Sequence, residues 1–462
     1  MLPFVARNRR LMLDTDEPIF NTSASEMISR IPKSTFHCRR IPLKAKCFCL
    51  LLIIFAAYLY GTIYLSWGAN RLTNEEFLEV RKCPACYGHS FCFKLLDSQY
   101  DLTMMSQYKL FDTVNLKNVH YANHKHEGHS VVLKKLAHND EIKKIDDKIC
   151  QDSDREPGCD LSKRYVVTET SKDIMRNGLL PRHLKDTTFM FFCVTHKLID
   201  RVSAKYKDRH KQYEPLTHDD QLQLLYTAQV NPEPLILQTF PASEGWPFPE
   251  YYGSCGRYIV VENSGKTLDK YFYAPFHVRA SLSYQMLKMA EKFSSSEDWN
   301  LYWTDLSPYN FAVDPAGKLT YIDAENIIVV DKQATKLGNK ETWNDLYESD
   351  YVECRDGHTD CLSFDVEALC THHDADHNYY ATCKNMLSQY ADDRVNGGLP
   401  HLLHSMPSHA KDDWDLDNLL NECTRPHNAQ GRIKAAHKLI QALDELRNIP
   451  DDKISKKGRR IQ

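Results

Sequence analysis

The sequence has no internal repeat and no low-complexity linker, which argues against a tandem array or a string of tethered modules. It also lacks the positive charge that a nucleic-acid partner would need. Residues 1 to 46 carry nine Lys/Arg against four Asp/Glu, a net +5 that leaves −9 for the remainder of a chain whose total is −4. No nucleic-acid partner is therefore expected. Glycosylation sequons are equally scarce, with Asn21-Thr22-Ser23 standing in the basic N-terminal segment. What the chain does have is apolar mass: 42% of 462 residues, enough for a bilobal domain of a few hundred residues with attachments and too much for a disordered chain.

Charge is missing altogether from Cys47 to Trp67, "CFCLLLIIFAAYLYGTIYLSW". At 1.5 Å per residue this run covers the roughly 30 Å of a bilayer core. Arg39, Arg40, Lys44 and Lys46 precede it, whereas Arg71, Glu75 and Glu76 follow, so the basic side is expected to stay in the cytosol. The expected plan is a cytosolic tail at 1–46, a transmembrane helix at 47–67, a Cys-rich lumenal stem at 68–105, an N-lobe at 106–264, a C-lobe at 265–450 and a tail at 451–462. The cysteines agree with a lumenal placement. Beyond the apolar run stand Cys83, Cys86, Cys92, Cys150, Cys159, Cys193, Cys255, Cys354, Cys361, Cys370, Cys383 and Cys423, an even number that an oxidising lumen would pair. Their connectivity is not readable from spacing. "CPACYGHSFC" reads as a disulfide knot rather than a zinc or thiol-redox site, because no second ligand pair and no βαβ pattern accompany it.

Along the chain, "HSVVLKKL" (His129 to Leu136) has the β-branched density of a strand, and "NDEIKKIDDKIC" (Asn139 to Cys150) has the spacing of a helix. "GRYIVVEN" (Gly256 to Asn263) is a further strand; Val278 to Ser296 forms an amphipathic helix with Leu282, Met286, Met289 and Phe293 on one face. Then comes "LYWTDLSPYNFAVDPAGKLTYIDAEN" (Leu301 to Asn326), in which "NFAV" and "KLTYID" are strands around a Pro-Gly turn. Folding this hairpin is expected to bring Asn310 and Asp323 together, an amide oxygen and a carboxylate suited to a hard divalent cation, Mg²⁺ or Mn²⁺. Asp305 would remain for another task. "THHDADH" (Thr371 to His377) reads either as a metal cluster or as a polar loop between Cys370 and Cys383.

These motifs resemble a protein kinase: "WTDLSPYN" is similar to the catalytic loop H-R-D-L-K-P-E-N, "IDAE" to the D-F-G strand end and "VVLK" to the V-A-I-K strand. "NPEPLILQTFP", "EGWPFPEYYGSCGR", "IDAENIIVVDK", "CLSF" and "DHNYYATC" narrow the resemblance to the divergent protein kinase domain 2, or deleted-in-autism, family of secretory-pathway proteins. The resemblance implies an α+β, two-lobed, disulfide-rich kinase-like fold, here preceded by one transmembrane helix, and a Golgi membrane or endoplasmic reticulum setting or secretion. It further implies Asp305 as the acceptor of a substrate hydroxyl proton, Asn310 and Asp323 as metal ligands, and Lys134 on the α/β-phosphates of ATP. The ion-pair partner of Lys134 stays open between Glu141 and Asp146 or Asp147.

The departures are specific. A lone Gly128 stands upstream of Lys134 in place of G-x-G-x-x-G, Trp303-Thr304 replace His-Arg, Glu325 replaces the Gly of D-F-G, and no A-P-E follows. Two functions fit. One is ATP-dependent phosphorylation of a secretory-pathway protein or glycan; the other is a catalytically silent kinase-like ligand or scaffold.

Overall fold

A computed structural model describes residues 43–66, 70–103, 106, 118–208, 214–334, 342–352, 362–388 and 400–449. The basic tail at 1–42 and the C-terminal tail therefore lie outside the described residues. The chain divides into two units, residues 1–64 and 65–462. The first contains helix α1 (Leu43–Ser66), on which Phe48, Leu50 to Ile54 and Phe55 are exposed. Among the described residues no helix is long and apolar enough to cross a membrane. The transmembrane helix expected at 47–67 is thereby overturned, and the single membrane span drops out of the fold class and the partners.

The second unit opens with a five-stranded antiparallel sheet ordered β1-β2-β3-β5-β4, comprising β1 (Tyr100–Leu102), β2 (Val119–His124), β3 (Ser130–Lys134), β4 (Tyr251–Cys255) and β5 (Tyr258–Glu262). The β-branched run of β3 buries Val131, Val132 and Leu133, so the strand is covered on both faces. Helix α2 (Asn139–Asp152) follows at once, opened by Glu141, whose carboxylate accepts from the His138 backbone N–H at 2.9 Å. Its buried Ile142 and Ile149 pack inward at helical spacing. Helices α3 (His218–Val230) and α4 (Glu233–Thr239) come before β4, and every residue of α4 is buried.

The second half is built on α5 (Phe276–Ser294), which buries Leu282, Met286, Met289 and Phe293 as their spacing predicts. Strand β7 (Trp299–Trp303), reached after the two-residue β6 (Lys266–Thr267), leads to β8 (Phe311–Val313) and β9 (Leu319–Tyr321). The latter two pair as a hairpin, Phe311 opposite Tyr321, around a turn held by Asp314. Strand β10 (Ile327–Asp331) returns beside β7. Helices α6 (His377–Thr382), α7 (Leu416–Thr424) and α8 (Gly431–Leu446) close this lobe.

Five disulfides join Cys83–Cys86, Cys92–Cys255, Cys150–Cys159, Cys193–Cys370 and Cys383–Cys423. The remaining pair of the expected set, Cys354 and Cys361, lies outside the described residues. The segment before the sheet is tied down by more than sulfur. Arg257, buried in the β4–β5 turn, meets Asp146 of α2 at 2.6 Å and Glu79 at 3.1 Å, and donates to the Ala85 carbonyl at 3.0 Å. Gly256 beside it has φ +60°, and a Cβ there would sit 2.0 Å from the Leu78 carbonyl oxygen, so only glycine lets the two backbones approach.

The Cys92–Cys255 bond spans 163 residues of chain, so its loss frees a long loop in the unfolded state. Replacing both cysteines with Ala is expected to lower unfolding stability by roughly 2–5 kcal/mol, read as a shifted urea midpoint for the expressed chain.

Candidate functional site

Lys134 ends β3, and its buried side chain donates from Nζ to Glu233 Oε1 at 2.7 Å and to the Ile322 carbonyl at 2.6 Å. Glu233 opens α4, and Ile322 directly precedes Asp323, so a single ammonium joins the sheet, a helix and the hairpin end. Burial works against the charge on Lys134, but Glu233, Asp323 and Glu325 outweigh it and hold its pKa above the ordinary lysine value. The expected partners are elsewhere: Glu141 caps α2, Asp146 binds Arg257, and Asp147 meets Lys143 at 2.5 Å on the helix surface. The open choice among Glu141, Asp146 and Asp147 is therefore resolved against all three. Glu233 lies 99 residues from Lys134 in sequence.

The loop ahead of the hairpin is closed by its own carbonyl. The Asp305 backbone oxygen accepts from Asn310 Nδ2 at 3.3 Å and from the Tyr321 hydroxyl at 3.1 Å. With Nδ2 so engaged, the remaining polar atom of the buried Asn310 amide is Oδ1, an oxygen ligand. The Ile322 N–H donates to the Asn310 carbonyl at 2.8 Å, which extends the hairpin pairing to the residue just before Asp323. Burial raises the Tyr321 phenol well above its ordinary value, with Asp305 and Asp323 adding to it, so the hydroxyl stays a neutral donor.

Glu325 departs strongly from an ordinary carboxyl. Burial, then Asp323 and Glu233, push its carboxyl up to about 8. Asn231 donates its amide N–H to Glu325 Oε2, and it donates to the Leu136 carbonyl at 3.0 Å. The Asn231 Oδ1 in turn accepts from the Glu233 backbone N–H at 2.9 Å. One Asn thereby positions two of the acidic neighbours of Lys134, Glu233 and Glu325.

A scan against family models matches the Protein-kinase domain of FAM69 to residues 225–426, a span that includes Glu233, Asp305, Asn310, Asp323 and Glu325. Divergent protein kinase domain 2A of Xenopus tropicalis is 37% identical over 416 residues, covering 86% of this chain and 95% of that protein. The chain belongs to the divergent protein kinase domain 2 family. The human 2A protein is also 37% identical, over 401 residues, 84% of this chain and 92% of its own length. The mouse 2B protein is 28% identical over 296 residues, 61% of this chain and 67% of its own.

For this family member, register relocates the expected phosphate loop. Val119 pairs with Lys134 and Asn123 with Ser130, so the turn containing Gly128 sits at the end of β2 and β3 remote from Lys134. Strand β1 runs from Tyr100 opposite His124 to Leu102 opposite Ala122, towards the Lys134 end. The β1–β2 connection leaves β1 on that side of the sheet. Residues 104, 105 and 107–117 of it lie outside the described residues.

The His/Asp run Thr371 to His377 is the polar alternative, not a metal cluster. Asp376 pairs with the buried Arg432, His372 Nδ1 contacts the Ala368 carbonyl at 2.7 Å, and His373 Nδ1 meets Asp374 at 2.8 Å. His377 Nε2 donates to the Trp303 carbonyl at 2.9 Å, and Asn378 Oδ1 accepts from the Trp303 N–H at 3.3 Å. Helix α6 therefore braces the strand that leads into Asp305. Burial lowers the His377 pKa to about 4, and its Nδ1 is buried without a partner, so the ring is neutral in the fold.

Two outcomes follow. Glu233→Ala strands a buried ammonium and is expected to cost roughly 3–5 kcal/mol, whereas Glu141→Ala loses a cap of about 1 kcal/mol, both read by urea denaturation. For His377 the folded pKa lies below the unfolded one, so the unfolded state binds the extra proton. Stability should be intact above about pH 6.5 and fall as the pH drops towards 4, with a smaller fall for His377→Gln in melts across that range.

Proposed function

We propose that this protein transfers a phosphoryl group from a nucleotide, with ATP first, to a hydroxyl of a protein or glycan in an oxidising compartment of the secretory pathway. The observation that carries this reading is the buried Lys134–Glu233 pair, contacting the residue before Asp323 and standing in electrostatic reach of Asp323. A lysine held charged in this way offers a fixed positive point for nucleotide phosphates. The donor set fits a hard divalent cation: Asn310 supplies an amide oxygen and Asp323 a carboxylate, without sulfur or imidazole. When bound, Mg²⁺ or Mn²⁺ would neutralise charge on the phosphate oxygens.

Asp305 is the proposed proton acceptor for the incoming hydroxyl. Its backbone is pinned by Asn310 and Tyr321, so its carboxylate stands on an ordered loop. Glu325, where kinases have glycine, is held by Asn231 and acts as a positioning residue beside Lys134. The compartment is inferred from the five disulfides. Golgi residence is a proposal on the same footing, supported by the family's setting.

A specific observation also favours the silent alternative. The Lys134 ammonium already makes two short bonds inside the protein, to Glu233 and to Ile322. Glu233, Asp323 and Asp305 outnumber it in charge, so a phosphate chain alone would meet net repulsion. Nucleotide binding is therefore expected to require a divalent cation. ATP without metal should leave the melting temperature unchanged, ATP with Mn²⁺ or Mg²⁺ should raise it, and Asp323→Ala should remove the rise. No stabilisation of the parent under any of these conditions would decide for the scaffold. Where binding occurs, the mass of a labelled product distinguishes phosphate from a nucleotidyl group.

A further inference from the structure

The β2–β3 turn, remote from Lys134, carries His124, Glu127 and His129 in "NHKHEGH", with Gly128 at φ +71° letting the chain reverse. One ligand atom from each of the three lies within 4.8 Å of the others. His129 Nδ1 is 3.4 Å from Glu127 Oε2, and His124 Nδ1 is 4.0 Å from the same oxygen. Ligands around a tetrahedral Zn²⁺ at roughly 2.0–2.1 Å from the metal stand about 3.4 Å apart, so one edge already has the right length and another needs to close by about half an ångström.

A second contact prepares one ring for this. His129 Nε2 lies 2.9 Å from the hydroxyl of Tyr100, which is itself buried on β1. With the ring proton on Nε2 and directed at that hydroxyl, the Nδ1 lone pair is left facing Glu127, the arrangement by which an outer partner orients a metal-binding imidazole. His124 Nδ1 is unprotonated as well, since it accepts from the Glu127 N–H at 3.0 Å and the His126 N–H at 3.3 Å, and an ion at that atom replaces these two bonds. The His124 and His129 rings lie 4.9 Å apart and within 16° of parallel, so uptake of an ion requires His129, the more exposed of the two, to tilt about its Nε2 contact with Tyr100 until the two ring planes meet at the ion. Two neutral imidazoles and one carboxylate select a borderline divalent cation over Mg²⁺ or Ca²⁺, which prefer an all-oxygen shell.

We propose that His124, Glu127 and His129 bind Zn²⁺ at the outer end of the sheet, with Tyr100 as a positioning residue for His129 and water in the fourth place. The ion would lock the β2–β3 turn closed, beside β1, which Tyr100 opposite His124 and the Lys125 N–H on the Gln99 carbonyl already join to it. Nothing in it depends on phosphoryl transfer.

Calorimetric titration of the full chain with Zn²⁺ alone tests this. His129→Ala and the near-isosteric Glu127→Gln are expected to weaken binding by more than about tenfold, and Tyr100→Phe by about tenfold through its loss of the ring anchor. His126→Ala should leave it unchanged. The Glu127 and His129 side chains are 68% and 41% exposed, so the metal-free variants should melt as the parent does. Zn²⁺ affinity unaltered in Glu127→Gln and His129→Ala would overturn the site; that result does not bear on the reading of Lys134 and Asp323, whose test uses nucleotide.

Discussion

A buried ammonium must be compensated where it stands, and Lys134 is compensated by groups from two distant parts of the chain. Glu233 takes one proton, the Ile322 carbonyl another, and the acidic neighbours outweigh the desolvation that would otherwise discharge it. The geometry of β3, α4 and the end of the β8–β9 hairpin is thus linked through one point. Removing either partner would leave charge or a carbonyl unmatched in a largely buried place. That constraint orders the candidate cleft before any ligand arrives.

The covalent framework works at a different range. Cys92–Cys255 and Cys193–Cys370 close long stretches of chain and limit the unfolded state, while Arg257 with Glu79 and Asp146 fixes the segment before the sheet in the folded one. In the other lobe, α6 performs a related service. His377 and Asn378 bind both polar groups of the Trp303 backbone, so the strand entering the Asp305 loop is braced from outside itself. Kinases commonly place His-Arg at the two positions that Trp303 and Thr304 occupy here. Support from a His on a later helix offers one way for the loop to stand without them.

Local pattern carried far where local physics decides. The β-branched run before Lys134, the Ile spacing of α2, the apolar face of α5 and the Pro-Gly turn of the hairpin each express a period or a turn that neighbouring residues impose. The hairpin that carries the candidate residues was legible in the same way, since Asp305, Asn310 and Asp323 share one stretch of chain around it. Glu233 was not legible, because a partner 99 residues away is chosen by packing. Its "NPEPL" context, an Asn two residues before an acidic helix start, was the available signal. Gly128 was misplaced for a similar reason, since strand register decides which end of a hairpin faces the cleft. The apolar run at 47–67 satisfied a length rule on composition, yet no described helix meets the requirement for crossing a membrane.

By itself, then, the sequence determined the secondary elements, the even set of cysteines and the family, because each of these depends on residue type and short-range spacing. Only the tertiary structure decided which carboxylate meets Lys134, which cysteines join and why Glu325 keeps its proton near neutral pH. Those outcomes depend on burial and on distances between segments far apart in the chain, and no local period encodes either.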